Sequence, residues 1–161
     1  MFLWFVGGAV LGVWLVFKSP AVDYRLVVLG ALLPLLELPF GEPRILHSLT
    51  GSVILLALAM VATPRRRLVQ RRLVAIPIGT FTHLLLDGAW TDTQAFWWPF
   101  AGLSWSDSPL PELGRGGLDL VLELLGAAAL WWCYRRFQLD EPDRRARFLR
   151  TGRLDRDVAV P

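Results

Sequence analysis

Cysteine and charged residues are both scarce in this chain. The single cysteine, Cys133, excludes an internal disulfide bond and a zinc site built from cysteines. Charged residues make up 19% of the sequence, whereas a soluble domain carries about 25% and needs them to cover its surface. The sequence also lacks a serine-nucleophile motif, a glycine-rich phosphate loop and a nucleotide-binding signature. The shortage of charge therefore argues against a soluble domain.

Apolar residues are correspondingly abundant, at 54% of the chain, and eight tryptophans accompany them. They form long runs separated by short charged segments, the pattern of an integral membrane protein. We predict an all-α bundle of about five short transmembrane helices in residues 1–137, followed by a polar tail in residues 138–161. The predicted spans are 1–17, 26–40, 45–63, 73–90 and 118–134. Pro34 is expected to kink the second span.

Arginine placement predicts the orientation of the bundle. The loop 64–72 and the tail are the two basic segments, so both are expected in the cytoplasm. This places the N-terminus outside and the C-terminus inside a multi-pass protein of the inner or plasma membrane. Because the same rule accounts for the basic balance, we predict membrane lipids and not nucleic acid as partners.

Two segments outside the spans have patterns of their own. Residues 91–117 are rich in tryptophan, proline and glycine, which favours an interfacial or re-entrant segment. The tail contains one predicted amphipathic helical stretch, around residues 144–150. The sequence shows no internal repeat, and five short spans without repeats argue against a transporter.

Ionisable residues recur at a single depth, near the outer ends of four predicted spans. They are Glu37, His47, His83, Asp87, Asp119 and Glu123. A charged group at membrane depth costs a few kcal/mol unless it is paired or bound. A divalent metal can satisfy imidazoles and carboxylates together, and this donor set suits zinc or another first-row metal. The common depth therefore predicts a metal site.

His83 and Asp87 form the strongest local element of that site. A spacing of four places both side chains on one face of a helix, about 5–6 Å apart at Cβ. We predict that His47 and Glu37 complete the ligand set and that Glu37 or Glu123 acts as general base. Asp119, by contrast, is expected to stabilise the first turn of its helix.

A structural interpretation of the same residues stays open. His83 would then donate to Asp87 or to a helix carbonyl, His47 would cap the third helix, and Glu37 would accept from Arg44. The protein would be a non-enzymatic membrane scaffold or partner subunit held together by a polar cluster. Geometry separates the alternatives, because a metal site needs its ligands within about 5 Å of a common point.

Four motifs carry a family resemblance. They are Gly-Ala-Leu-Leu-Pro at 30–34, His-Ser at 47–48, the segment 79–87 ending in His-Leu-Leu-Leu-Asp, and Trp-Pro-Phe at 98–100. Together they resemble the predicted membrane-bound metal-dependent hydrolases, also described as LexA-binding, inner-membrane-associated hydrolases. The family pattern has Leu-Pro-Asp-x-Asp where this chain has Pro34, Leu35 and Glu37, and it has Thr-His-Ser where this chain has Leu-His-Ser.

The resemblance implies a metal site at His47, His83 and Asp87, with Glu37 as a conservative replacement for an aspartate. It also implies a membrane-embedded, metal-dependent hydrolase. Since the site is expected near the outer leaflet, the expected substrate is a lipid or a lipid-linked ester or phosphoester.

Overall fold

The computed structural model describes residues 1–104 and 116–159, whose only regular secondary structure is helical, with no strand. The all-α prediction is therefore confirmed for the described residues. The α-helices are α1 (Phe2–Phe17), α2 (Tyr24–Leu32), α3 (Leu49–Val61), α4 (Arg67–Leu73), α5 (Ala75–Asp87), α6 (Thr93–Phe96), α7 (Leu118–Arg136) and α8 (Pro142–Thr151). Short 3-10 helices cover Leu33–Phe40, Ile45–His47, Ala89–Thr91 and Arg156–Ala159.

The second predicted span changes helix type part of the way along. α2 ends at Leu32 and continues as the 3-10 helix Leu33–Phe40, with Pro34 in the first turn of that helix. A proline has no N–H to donate and its ring crowds the preceding turn, so the α-helical pattern stops there. The sequence predicts a kink at Pro34, and the structure has a change of helix type at the same place.

Local capping signals determine where α3 begins and where α5 ends. The Ser48 side chain accepts a hydrogen bond from the Gly51 N–H at 3.0 Å, which caps the N-terminus of α3. At the C-terminus of α5, Gly88 adopts a left-handed φ of 74° and ends the helix after Asp87. These two helix ends carry the residues of the candidate site.

The backbones of α2 and α5 pack very closely. A Cβ added at Gly30 would overlap the Ile76 carbonyl, and one added at Gly79 would overlap the Val27 carbonyl. The Thr80 hydroxyl donates to the Gly30 carbonyl at 3.0 Å across this contact. Small residues allow two backbones to approach in this way. As a result, the end of α2 lies directly against the middle of α5.

Much of the outer surface of the bundle is apolar. Large apolar side chains that are more than half exposed include Leu36, Phe40, Leu58, Leu120, Leu124 and Trp131. Soluble monomers rarely expose apolar surface on this scale. None of the helices in the described part of the chain combines enough length with enough apolar character to cross a membrane.

The C-terminal segment packs against the bundle. The Tyr24 N–H donates to the Gly152 carbonyl at 2.8 Å, and the Leu154 N–H donates to the Pro20 carbonyl at 3.0 Å. Leu154 and Val158 are buried in the main core. The predicted amphipathic stretch is observed as α8. Through these contacts, the segment predicted as a polar tail supplies part of the hydrophobic core.

Candidate metal centre

Two histidines and an aspartate meet at one end of the bundle. His47 ends the 3-10 helix before α3, while His83 and Asp87 lie one turn apart on α5. Each residue offers one ligand atom, and these atoms all lie within 4.8 Å of one another. All three residues are 1% exposed or less. The structure thus brings together the three residues that the sequence predicts as the centre of a metal site.

Glu37 orients His47. Its Oε2 lies 2.7 Å from Nδ1 of His47 and accepts the N–H of Arg44 at 2.9 Å, while its Oε1 accepts the N–H of Leu46 at 2.8 Å. The carboxylate therefore holds both the imidazole and the loop before it. Glu37 lies outside the three-residue group, and its contacts fit a positioning role for His47. The role as ligand or base that the sequence predicts stays a prediction. The structural interpretation expected Glu37 to accept from Arg44. It does so, but from the backbone N–H of Arg44.

His83 is oriented by a backbone carbonyl. Its Nδ1 lies 2.7 Å from the carbonyl oxygen of Ala31, at the end of α2. Phe5 stacks on the imidazole with ring centroids 3.9 Å apart and an angle of 24° between the planes. A carbonyl can only accept, so Nδ1 carries the proton and Nε2 carries the lone pair of the neutral ring. The structural interpretation expected His83 to donate to a helix carbonyl, and the Ala31 carbonyl is such an acceptor. The same hydrogen bond leaves Nε2 of His83 available to bind a metal.

This arrangement fits a divalent metal. Metal-bound histidines almost always donate their second ring N–H to a carboxylate or a backbone carbonyl, as His47 and His83 do here. Two imidazole nitrogens and a carboxylate oxygen suit zinc and other first-row metals. Three protein ligands also leave a fourth position open, as in catalytic zinc sites. The residues His47, His83 and Asp87 can therefore hold a metal ion.

Glu123, on α7, lies away from the three-residue group and contacts the start of α1. Its Oε2 accepts the N–H of Leu3 at 2.8 Å, and its Oε1 lies 3.1 Å from the amino nitrogen of Met1. A carboxylate at a helix N-terminus is favoured by the helix dipole. The structure does not bring Glu123 into the three-residue group, because α7 packs on α1. Asp119 lies in the first turn of α7, as predicted.

The described part of the tryptophan-rich segment covers this end of the bundle. Phe96 packs with Leu84 of α5 and Leu49 of α3. The Thr50 hydroxyl donates to the Trp98 carbonyl at 2.6 Å. Residues 89–104 therefore contact the helix ends that carry the site. The rest of the predicted interfacial segment, including Trp105, lies in 105–115, outside the described residues.

Two supporting groups were not predicted. The Ala31 carbonyl has no side chain through which the sequence could reveal it, and Phe5 looks like any other apolar residue of α1. The only available signal is the pair Gly30 and Gly79, whose small size indicates a close helix contact. That contact explains why a carbonyl of α2 can reach His83.

Glu37→Gln should weaken metal binding about 10- to 100-fold, the usual effect of losing a partner that orients a metal-bound histidine. Glutamine keeps the shape of the side chain but replaces one acceptor oxygen with an NH₂ donor. That donor would face the N–H of Arg44 or Leu46, or Nδ1 of His47, which also donate. Competition with a chelating dye would measure the affinity. Asp92→Asn, which alters the acid that caps α6, is the matched control. Equal affinity of Glu37→Gln and the wild type would contradict the positioning role.

Comparison of the chain with protein family models, with curated proteins and with solved structures gives no match in any of the three. The hydrolase family suggested by the sequence motifs therefore stays a prediction. The metal assignment rests on the geometry of His47, His83 and Asp87.

Proposed function

We propose that the protein is a membrane-embedded, metal-dependent hydrolase of lipid or lipid-linked esters or phosphoesters. The observation that carries this proposal is the group of His47, His83 and Asp87, with ligand atoms within 4.8 Å of one another. Three ligands of this chemistry with a fourth position to spare are typical of hydrolytic metal sites.

A divalent ion at these residues would supply Lewis-acid activation of water and of a substrate carbonyl or phosphoryl oxygen. The protein groups prepare that site. Glu37 and the Ala31 carbonyl hold the Nδ1 protons of the two histidines, and Phe5 excludes water from one face of His83. In the net reaction, water adds across the acyl C–O or the P–O bond and releases an acid and an alcohol.

The proposed location is a membrane, with the five predicted helices spanning it and the C-terminus in the cytoplasm. Support comes from the apolar exterior of the bundle. α5 begins directly after the arginine-rich α4 and ends at Asp87. If α4 faces the cytoplasm, as its arginines favour, the metal site lies near the outer leaflet, within reach of lipid headgroups.

Burial favours a second candidate function. Glu37 is only 5% exposed, and the three proposed ligands are 1% exposed or less. A fully enclosed metal or polar cluster is typical of structural sites. In this alternative the protein is a non-enzymatic scaffold or partner subunit, and the cluster fixes α2, α3 and α5 against one another.

Hydrolysis in mixed micelles would test the proposed activity. We expect the protein purified in detergent to hydrolyse members of a panel of lipid esters and phosphoesters, to stop when a chelator is added, and to recover with zinc or manganese. Losing a residue that only orients a metal ligand typically lowers activity by up to roughly 100-fold. Asp87 is itself a proposed ligand, so Asp87→Asn should reduce the rate of hydrolysis by more than that. Asp92→Asn is again the control.

A different result would support the structural alternative. In that case no member of the panel is hydrolysed, while chelation lowers the unfolding temperature of the wild type but not that of Asp87→Asn. The bound metal would then contribute to stability alone.

A further inference from the structure

The last turn of α5 carries the proposed ligand Asp87 and ends directly after it. Gly88 adopts a left-handed conformation there and stops the helix. The last four carbonyls of a helix have no partner within it and need donors from elsewhere. The Gly88 N–H turns back to the carbonyls of Leu84 and Leu85. The carbonyl of Leu86, which is the residue before Asp87, depends on a donor from outside the helix.

α1 supplies that donor through Trp4. The indole Nε1–H of Trp4 donates to the Leu86 carbonyl at 3.1 Å. An indole nitrogen can only donate and a carbonyl can only accept, so the roles of the two groups are fixed. The side chain of Leu86 also packs on α1, because a Cβ added at Gly8 would lie 2.7 Å from Leu86 Cδ1. Trp4 and Gly8 are one helical turn apart, so a single face of α1 contacts Leu86.

The next residue of α1 contacts the other proposed ligand on α5. Phe5 is fully buried and stacks on the imidazole of His83. His83 and Leu86 are three residues apart and therefore share one face of α5. Two consecutive aromatic residues of α1 thus contact a proposed ligand and the residue directly before another. α1 itself contributes no residue to the three-residue group.

The position of the Asp87 carboxylate follows the position of its backbone. A single methylene group separates the two, so a shift of the helix end moves the ligand oxygens by almost the same amount. Helix ends fray unless they are held, whereas a binding site must be held within about 0.5 Å of its productive geometry. A contact that fixes the last turn of α5 therefore contributes directly to the geometry of the metal centre.

We propose that Trp4 is a positioning residue of the metal centre. Its indole holds the Leu86 carbonyl, and through that carbonyl it fixes the turn that carries Asp87. Trp4 acts through the backbone of α5 and not as a ligand. The inference rests on the proposed metal-dependent function and deepens it, because it assigns the first turn of α1 to the support of the site.

Trp4→Phe tests the role of the indole N–H, because it removes that donor and keeps an aromatic ring. Trp131→Phe is the matched control, since Trp131 lies on α7 and is 67% exposed. Co²⁺ is the probe, because its visible absorption reports the geometry of its ligands and competition with a chelating dye gives its affinity. We expect Trp4→Phe to weaken Co²⁺ binding about tenfold, the lower end of the effect of losing an outer partner, and to change the absorption spectrum. Trp131→Phe should match the wild type in both measurements.

A purely structural role of Trp4 would give a different result. The loss of the N–H would then lower the denaturant midpoint of the metal-free protein, while the folded variant would bind Co²⁺ with the affinity and the spectrum of the wild type. That result would overturn the inference. A double variant with Asp87→Asn adds a second check, because residues that act together have non-additive effects. Trp4→Phe should weaken Co²⁺ binding much less in the Asp87→Asn background, and an undiminished effect there would also overturn the inference.

This inference and the hydrolase proposal fail in different ways. If the wild type hydrolyses no lipid ester or phosphoester but Trp4→Phe loses Co²⁺ affinity as expected, the positioning role is supported and the hydrolase proposal is lost. If the wild type is a metal-dependent hydrolase and Trp4→Phe matches it in affinity, spectrum and rate, the hydrolase proposal is supported and the positioning role is lost. A wild type that binds neither Co²⁺ nor Zn²⁺ contradicts both.

Discussion

His47→Ala and His83→Ala should each reduce the bound metal from about one equivalent per chain to nearly none, because a hydrolytic site normally needs three protein ligands. His47, His83 and Asp87 are the ligands that the geometry offers. Removing either imidazole leaves one nitrogen and one carboxylate. Elemental analysis of protein purified in detergent without chelator would measure the metal content.

Glu123→Gln is the control for this experiment. Glu123 of α7 accepts a hydrogen bond from Leu3 in the first turn of α1, away from the three-residue group, so its variant should retain the metal. If the wild type holds no metal even after zinc, manganese or iron is added back, the hydrolase proposal is contradicted. The polar cluster would then be structural.

Gly79→Ala should lower the free energy of unfolding by about 3 kcal/mol, the upper end of the cost of overpacking a helix interface. The added Cβ would overlap the Val27 carbonyl, and backbone cannot move aside as a side chain can. The two helices must therefore separate. Since His83 lies one turn further along α5 and bonds the end of α2, metal affinity should fall as well.

Chemical unfolding in detergent, followed by circular dichroism, would measure this loss. Gly12→Ala is the matched control, because the Cβ there makes only an ordinary contact with Thr82. Equal stability of Gly79→Ala and Gly12→Ala would show that the close contact between α2 and α5 is not needed. The orientation of His83 by Ala31 would then have to be reconsidered.

The local parts of the site could be predicted from the sequence. Helical spacing alone places His83 and Asp87 on one face, and the common depth of the ionisable residues brought His47 to the same end of the bundle. Ser48 and Pro34 act through backbone chemistry within one turn, so the start of α3 and the change of helix type after α2 follow from nearby residues.

The nonlocal parts could not be predicted, because they depend on which helices pack together. Glu123 has the right depth for the site, but the contact between α7 and α1 directs it to the N–H of Leu3. Glu37 has the right chemistry for a ligand. However, the loop that returns after it brings three donors to its carboxylate, which then supports His47. Neither the contact of Glu123 with Leu3 nor that of Glu37 with His47 can be predicted from the spacing of residues along the chain.

The seven residues from Ala31 to Glu37 contribute no ligand to the three-residue group, yet they orient both of its imidazoles. The carbonyl at one end of this segment holds His83, and the carboxylate at the other end holds His47. A small displacement of this one segment would therefore turn both rings together. We expect the site to assemble and to come apart in a single cooperative step, and not one ligand at a time.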